Sequence, residues 1–95
     1  MDSLRTPETD RLFGAILRLA SLDDCYKLFE DLCTIRELRD LSQRLAVAEM
    51  LRKGMSYKEI SQATGASTAT ICRVNKCLLY GKGGYRAAIA AEETE

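Results

Sequence analysis

Histidine and tryptophan are absent from this chain, and proline occurs once, at Pro7. Without histidine there is no side chain that titrates near neutral pH to serve as a general base, and the commonest metal ligand is missing. Long apolar runs are missing too. No stretch is long enough to cross a bilayer, and no apolar core near the N-terminus resembles a signal peptide, so the expected location is cytoplasmic. Nowhere do apolar and polar residues alternate over the length of a strand. No glycine-rich phosphate loop follows a strand, since there is none to follow. The chain is therefore not expected to be an enzyme, and no catalytic residue, metal site or cofactor is assigned.

Four cysteines are present, at Cys25, Cys33, Cys72 and Cys77, with no C-x-x-C among them. The even count permits disulfides, but no secretory signal supports an oxidising compartment. Cys72 and Cys77 lie five residues apart, which puts them on different sides of a helix and argues against a shared zinc ion. All four are read as small, half-apolar core or groove residues.

The formal net charge is zero, yet the charges are not mixed. Residues 1–34 carry four Lys/Arg against seven Asp/Glu. Residues 35–86 carry ten against four, and residues 87–95 carry only Glu92, Glu93 and Glu95. A basic middle segment between acidic ends suits an anionic polymer as partner. With 95 residues, one chain buries only roughly 60–65% of its unfolded surface, so a second copy is an easy way to enlarge the core.

Helical spacing with cap signals recurs along the chain. Thr6 and Pro7 open a first helix with apolar positions Leu12, Phe13, Ile16, Leu17 and Ala20. Ser21 caps a second, with Asp24 three residues on and Leu28, Phe29 and Leu32 as its stripe. Thr34 and Glu37 form a capping box for a third, followed by Ile35, Leu38 and Leu41. Ser42 is read as the cap of a fourth, running through Leu45, Ala48 and Leu51 to Gly54. Ser56 and Glu59 make a second capping box, opening a short helix that ends at Gly65. Ser67 caps the next, which runs to about Tyr80 before Gly81-Lys-Gly-Gly84 breaks it. From Tyr85 on, a frayed helix around Ala87–Ala91 or a mobile tail is expected. No linker divides the chain, so residues 1–95 are read as a single domain, with residues 81–95 as its tail.

The segment MSYKEISQATGASTATICRV, residues 55–74, concentrates the functional signal. Ile60 faces the helix that follows, Ser61 is small enough for two helices to cross closely, and Gly65 makes the turn. Ile71 and Val74, three residues apart, return the second helix to the same core. This is the spacing of a helix-turn-helix, over residues 56–80 or so. It leaves Ser67, Thr68, Ala69, Thr70, Cys72 and Arg73 near the start or outer side of the second helix, where short side chains allow close approach to base edges in a major groove. Arg52, Lys53, Lys58, Arg73, Lys76 and Lys82 surround the unit as candidate phosphate contacts. An ordinary helical hairpin with a Ser/Thr-rich surface is the competing reading.

Thr34, Glu37 and Leu41 in a T-x-x-E-x-x-x-L pattern, then Arg44, the GMS at 54–56 and the GAS-x-ATI-x-R at 65–73 resemble the Trp repressor family, most nearly its YerC/YecD-type branch of small relatives. The resemblance implies an all-α, Trp repressor-like helical fold and an interlocked homodimer. It implies a double-stranded DNA partner with a pseudo-palindromic operator, two recognition helices sitting about one DNA turn, roughly 34 Å, apart. Carried over position by position, Lys58 falls where a base or phosphate is contacted, and Thr68, Ala69 and Cys72 match the major-groove face. Tyr57, Ser61, Ser67 and Lys76 fall where backbone contacts are expected. Thr34, Arg44 and Arg73 match the positions that hold tryptophan in the sensing members. Two neighbours depart from that pattern: Val74 stands where the sensors carry glycine, and Cys77 where they carry serine. Added volume where a ring should slide costs roughly 1–3 kcal/mol. The expected function is thus a sequence-specific, dimeric transcriptional regulator, a repressor working without tryptophan. The alternatives are a protein-interaction module that keeps the fold without DNA, and an amino-acid-responsive repressor.

Overall fold

A computed structural model of the chain describes residues 4–93, with side chains as far as residue 89. Among these residues there are helices and connections and no strand: α1 (Pro7–Leu17), α2 (Leu22–Leu32), α3 (Ile35–Arg52), α4 (Tyr57–Thr64), α5 (Thr68–Tyr80) and α6 (Gly84–Glu93). The contacts divide the chain into two compact units, with the division between Leu38 and Arg39.

In the first unit, the caps form where the sequence places them. The Thr6 hydroxyl accepts from the Thr9 N–H at 3.1 Å, and Pro7 occupies the first turn, where a missing N–H costs nothing. The Ser21 hydroxyl accepts from the Asp24 N–H, while the Asp24 carboxylate accepts from the Ala20 N–H just before the helix. Thr34 and Glu37 close their box reciprocally, at 2.8 and 3.1 Å. These bonds satisfy N–H groups that a helix start leaves without partners. Packing is sparser than capping here. No residue of α1 or α2 is buried.

Among the described residues, those that are buried all lie in the second unit. Val47 and Ala48 come from α3, Ile60 from α4, Ala66 from the connection, Ile71, Val74 and Leu78 from α5, and Ile89 from α6. Met50, Leu51, Met55 and Tyr85 pack around this cluster. Among the described residues no polar side chain is buried.

One expectation is revised and one is extended. Ser42 does not start a new helix: α3 runs unbroken through it for 18 residues. No glycine or proline interrupts residues 35–52, and one serine inside a helix costs only a fraction of a kcal/mol, far less than nucleating a second helix. Of the two alternatives for the segment after Gly81, the helix is the one found, and α6 extends beyond Ala87–Ala91 to span Gly84–Glu93. Ile89 is only 4% exposed and anchors α6 in the core. Residues 94 and 95 lie outside the described residues.

Candidate nucleic-acid interface

The interface candidate is built on α4, a three-residue connection and α5. α4 begins with the Ser56–Glu59 box. The Ser56 hydroxyl accepts from the Glu59 N–H at 3.1 Å, and the Glu59 carboxylate accepts from the Ser56 N–H at 2.9 Å. The Ser56 backbone N–H, and then its hydroxyl, hold the Glu59 carboxyl below the usual carboxylate range. The helix ends at Gly65, whose φ of +77° is the left-handed conformation that glycine adopts without strain.

Hydrogen bonds fix the turn that follows. The Gly65 N–H donates to the Ser61 carbonyl at 2.8 Å. The Thr64 hydroxyl donates to the Ile60 carbonyl and accepts from the Ala66 N–H. The Ser61 hydroxyl donates to the Ala66 carbonyl at 2.9 Å. Ala66 itself is buried, so the turn folds back onto the core. The Gln43 side-chain amide reaches across from α3 and donates to the Thr64 carbonyl at 3.1 Å.

α5 starts at Ser67, whose hydroxyl accepts from the Thr70 N–H at 3.1 Å. Ile71, Val74 and Leu78 recur at three and four residues and form its buried side. Thr68, Ala69, Cys72, Arg73 and Lys76 recur on the opposite side and are exposed. The two sets follow from one helical period: whatever anchors the first set turns the second outward. At the far end Gly81 is required sterically, since a Cβ there would collide with the Cys77 carbonyl. The Arg86 guanidinium returns from α6 to this end, with Nε donating to the Leu78 carbonyl at 3.0 Å and Nη2 to that of Leu79 at 3.4 Å.

The residues singled out from the sequence fall as follows. Tyr57 and Lys58, in the first turn of α4, are exposed, as is Ser67 at the start of α5. Thr70 is half-buried, its hydroxyl 3.1 Å from that of Ser67. Ser61 is half-buried and its hydroxyl proton is committed to the turn; to donate to a phosphate it would have to release Ala66. Of the residues matched to tryptophan-binding positions, Thr34 belongs to the first unit and caps α3, Arg44 is half-buried on α3, and Arg73 is exposed on α5. Val74 is 2% exposed, its side chain packed in the core cluster. Cys77 is exposed, and all four cysteines are free thiols. Gln43 and Arg86 escaped the sequence reading, because their partners lie 21, 8 and 7 residues away and no local spacing announces them.

Comparison with known proteins agrees with this architecture. A family model for the Trp repressor protein matches residues 7–93. The uncharacterized protein YerC of Bacillus subtilis (strain 168) is 53% identical over 96 residues, spanning 100% of this chain and 92% of that protein. The crystal structure of a TrpR-like protein from Eubacterium eligens superposes with a TM-score of 0.92 at 50% identity, covering 95% of this chain and 93% of the other. A candidate Trp repressor from Staphylococcus aureus does so with a TM-score of 0.92 at 46% identity, covering 97% and 92%. With six helices in this order among the described residues, a family-model match across nearly the whole chain and half its residues shared with a solved relative, the chain belongs to the Trp repressor protein family.

Proposed function

We propose that the protein is a homodimeric, sequence-specific DNA-binding regulator, a cytoplasmic repressor that occupies a pseudo-palindromic operator through a helix-turn-helix formed by α4 and α5. The observation that carries this reading is the two-sidedness of α5. Ile71, Val74 and Leu78 anchor it, while Thr68, Ala69, Cys72, Arg73 and Lys76 are offered outward as a surface of short side chains edged with cations. Short side chains on the leading turns let a helix approach base edges, and cations beside them meet phosphates. Lys58 and Tyr57 at the start of α4 and Ser67 at the start of α5 extend the phosphate-contacting rim.

Dimerisation rests on the first unit. Leu17, Leu22 and Ile35 are 84%, 75% and 72% exposed, and Phe13, Tyr26 and Leu32 are each more than half exposed. Large apolar side chains left this exposed are what an interface would cover. A second copy of the chain supplies a matching face by symmetry, and two-fold symmetry in turn demands a pseudo-palindromic site.

Tryptophan is not required. Val74 contributes its volume to the core beside Ile71, so α5 is seated without a ligand to complete the packing. Thr34, Arg44 and Arg73 carry other duties in this reading: a helix cap, a half-buried position on α3 and a phosphate contact. Selection of bound duplexes from a random pool with purified protein tests the function. A recovered palindrome, bound less tightly as salt rises, is the expected result. Binding indifferent to both sequence and salt would leave a protein-interaction module in its place.

A further inference from the structure

The last carbonyls of a helix have no partner within it, and the ends of α4 and α5 each meet a side chain from another helix of the same unit. At the end of α4, the Gln43 amide donates to the Thr64 carbonyl at 3.1 Å. At the end of α5, Arg86 donates to the Leu78 and Leu79 carbonyls at 3.0 and 3.4 Å, a cation placed at the negative end of the helix dipole. Between these two points, Ile71 and Val74 share one core cluster with Val47, Ala48, Ile60 and Ile89, and Leu78 is buried. α5 is therefore fastened near both ends as well as along its buried side.

We infer that Gln43 and Arg86 are positioning residues that set the orientation of α5 for the proposed DNA contact, performing by side-chain hydrogen bonds what an effector would otherwise have to do. This rests on the DNA-binding reading above. Gln43 holds the turn through which α4 hands over to α5, and its loss frees the turn to tilt. Arg86 couples the far end of α5 to α6, whose own seat in the core is Ile89. Neither residue lies on the exposed face of α5, so neither acts by touching a base.

The test uses the full chain and two near-isosteric variants, Gln43→Glu and Arg86→Lys. A glutamate carboxylate cannot donate to the Thr64 carbonyl. Lysine keeps the charge of Arg86 but loses the planar pair of donors. Hydrogen exchange on the free protein is read first. The Gly65 and Ala66 amides should exchange about tenfold faster in Gln43→Glu, and the Gly81 amide about tenfold faster in Arg86→Lys, with the helical circular dichroism retained. Affinity for the selected operator is read next. Each variant should bind about tenfold more weakly, and Arg86→Lys, which keeps the charge, should do so with the dependence on salt unchanged, because no phosphate contact has been removed.

A variant that exchanges like the parent overturns the proposal, whatever the DNA result. So does faster exchange with undiminished affinity. Arg86→Met with a shallower salt dependence, beside Arg86→Lys at full affinity, overturns it for Arg86 by making that residue a phosphate contact. If the parent protein selects no DNA, the functional reading fails, and the exchange data still decide whether the two side chains hold α5.

Discussion

Ser56 and Glu59 show how much of this protein is specified within four residues. Each supplies what the other's backbone lacks, and the carboxyl is held ionised by the N–H it accepts from. Ser56→Ala should lower stability by about 1 kcal/mol, read from chemical denaturation. Because the Glu59 pKa is lowered on folding, its contribution is present above the ordinary carboxylate range and is lost as pH falls through the lowered value. The stability deficit of Glu59→Gln should therefore shrink in strongly acidic solution; a deficit that persists there would place the cost elsewhere. Ile71 is fully buried, and Ile71→Ala should cost about 2–5 kcal/mol through lost contacts and the cavity left behind, measured by the same titration. Ser61 shows the limit of reading one position at a time. Its small size was legible as a helix-crossing residue, whereas the engagement of its hydroxyl with the Ala66 carbonyl required the turn to be closed.

At the scale of elements, α4 and α5 were nearly complete in the sequence. Their caps, the Gly65 turn and the Gly81 stop are all local, and the structure has them where the spacing places them. α3 and α6 were not. The continuation of α3 through Ser42 is decided by the absence of any breaker, and the docking of α6 by one side chain, Ile89, that finds a core assembled from three other helices. The outward side of α5 yields a clear expectation. If the proposed function holds, Arg73→Ala and Lys76→Ala should each weaken operator binding and flatten its logarithmic salt dependence by about one unit, with the oligomeric state unchanged. Gel shifts across a salt series check this, and an unchanged slope would remove that residue from the phosphate rim. Calorimetry with tryptophan should show no binding in the micromolar range, since Val74 already occupies packed volume.

The whole molecule is uneven. One unit has a closed apolar core, while the other displays Phe13, Leu17, Leu22 and Tyr26 with no buried residue in α1 or α2. A chain of this size has little stability to spare, and covering those side chains with a second copy would supply it. Phe13→Asp, placed on the exposed face of α1, should shift the protein toward monomer in sedimentation equilibrium. In the proposed dimeric mode, operator binding should weaken by more than any single α5 substitution produces. A monomeric variant with full affinity would refute the dimeric mode of binding.

The amino-acid sequence alone determined what nearest neighbours along the chain decide. It placed the caps of α1, α2, α4 and α5, the left-handed glycine at residue 65 and the period that turns Thr68, Ala69, Cys72, Arg73 and Lys76 to one side. It also carried the family motifs that the comparisons bear out. Those features depend on residues three or four apart, within reach of any reader of spacing. The tertiary structure decided which side chains meet after the chain has folded back: Gln43 with Thr64, Arg86 with the end of α5, Ile89 with Val47 and Ile71 in one core. Such pairs depend on how far and at what angle one helix crosses another, and that is set by the summed packing of the core rather than by any short run of residues.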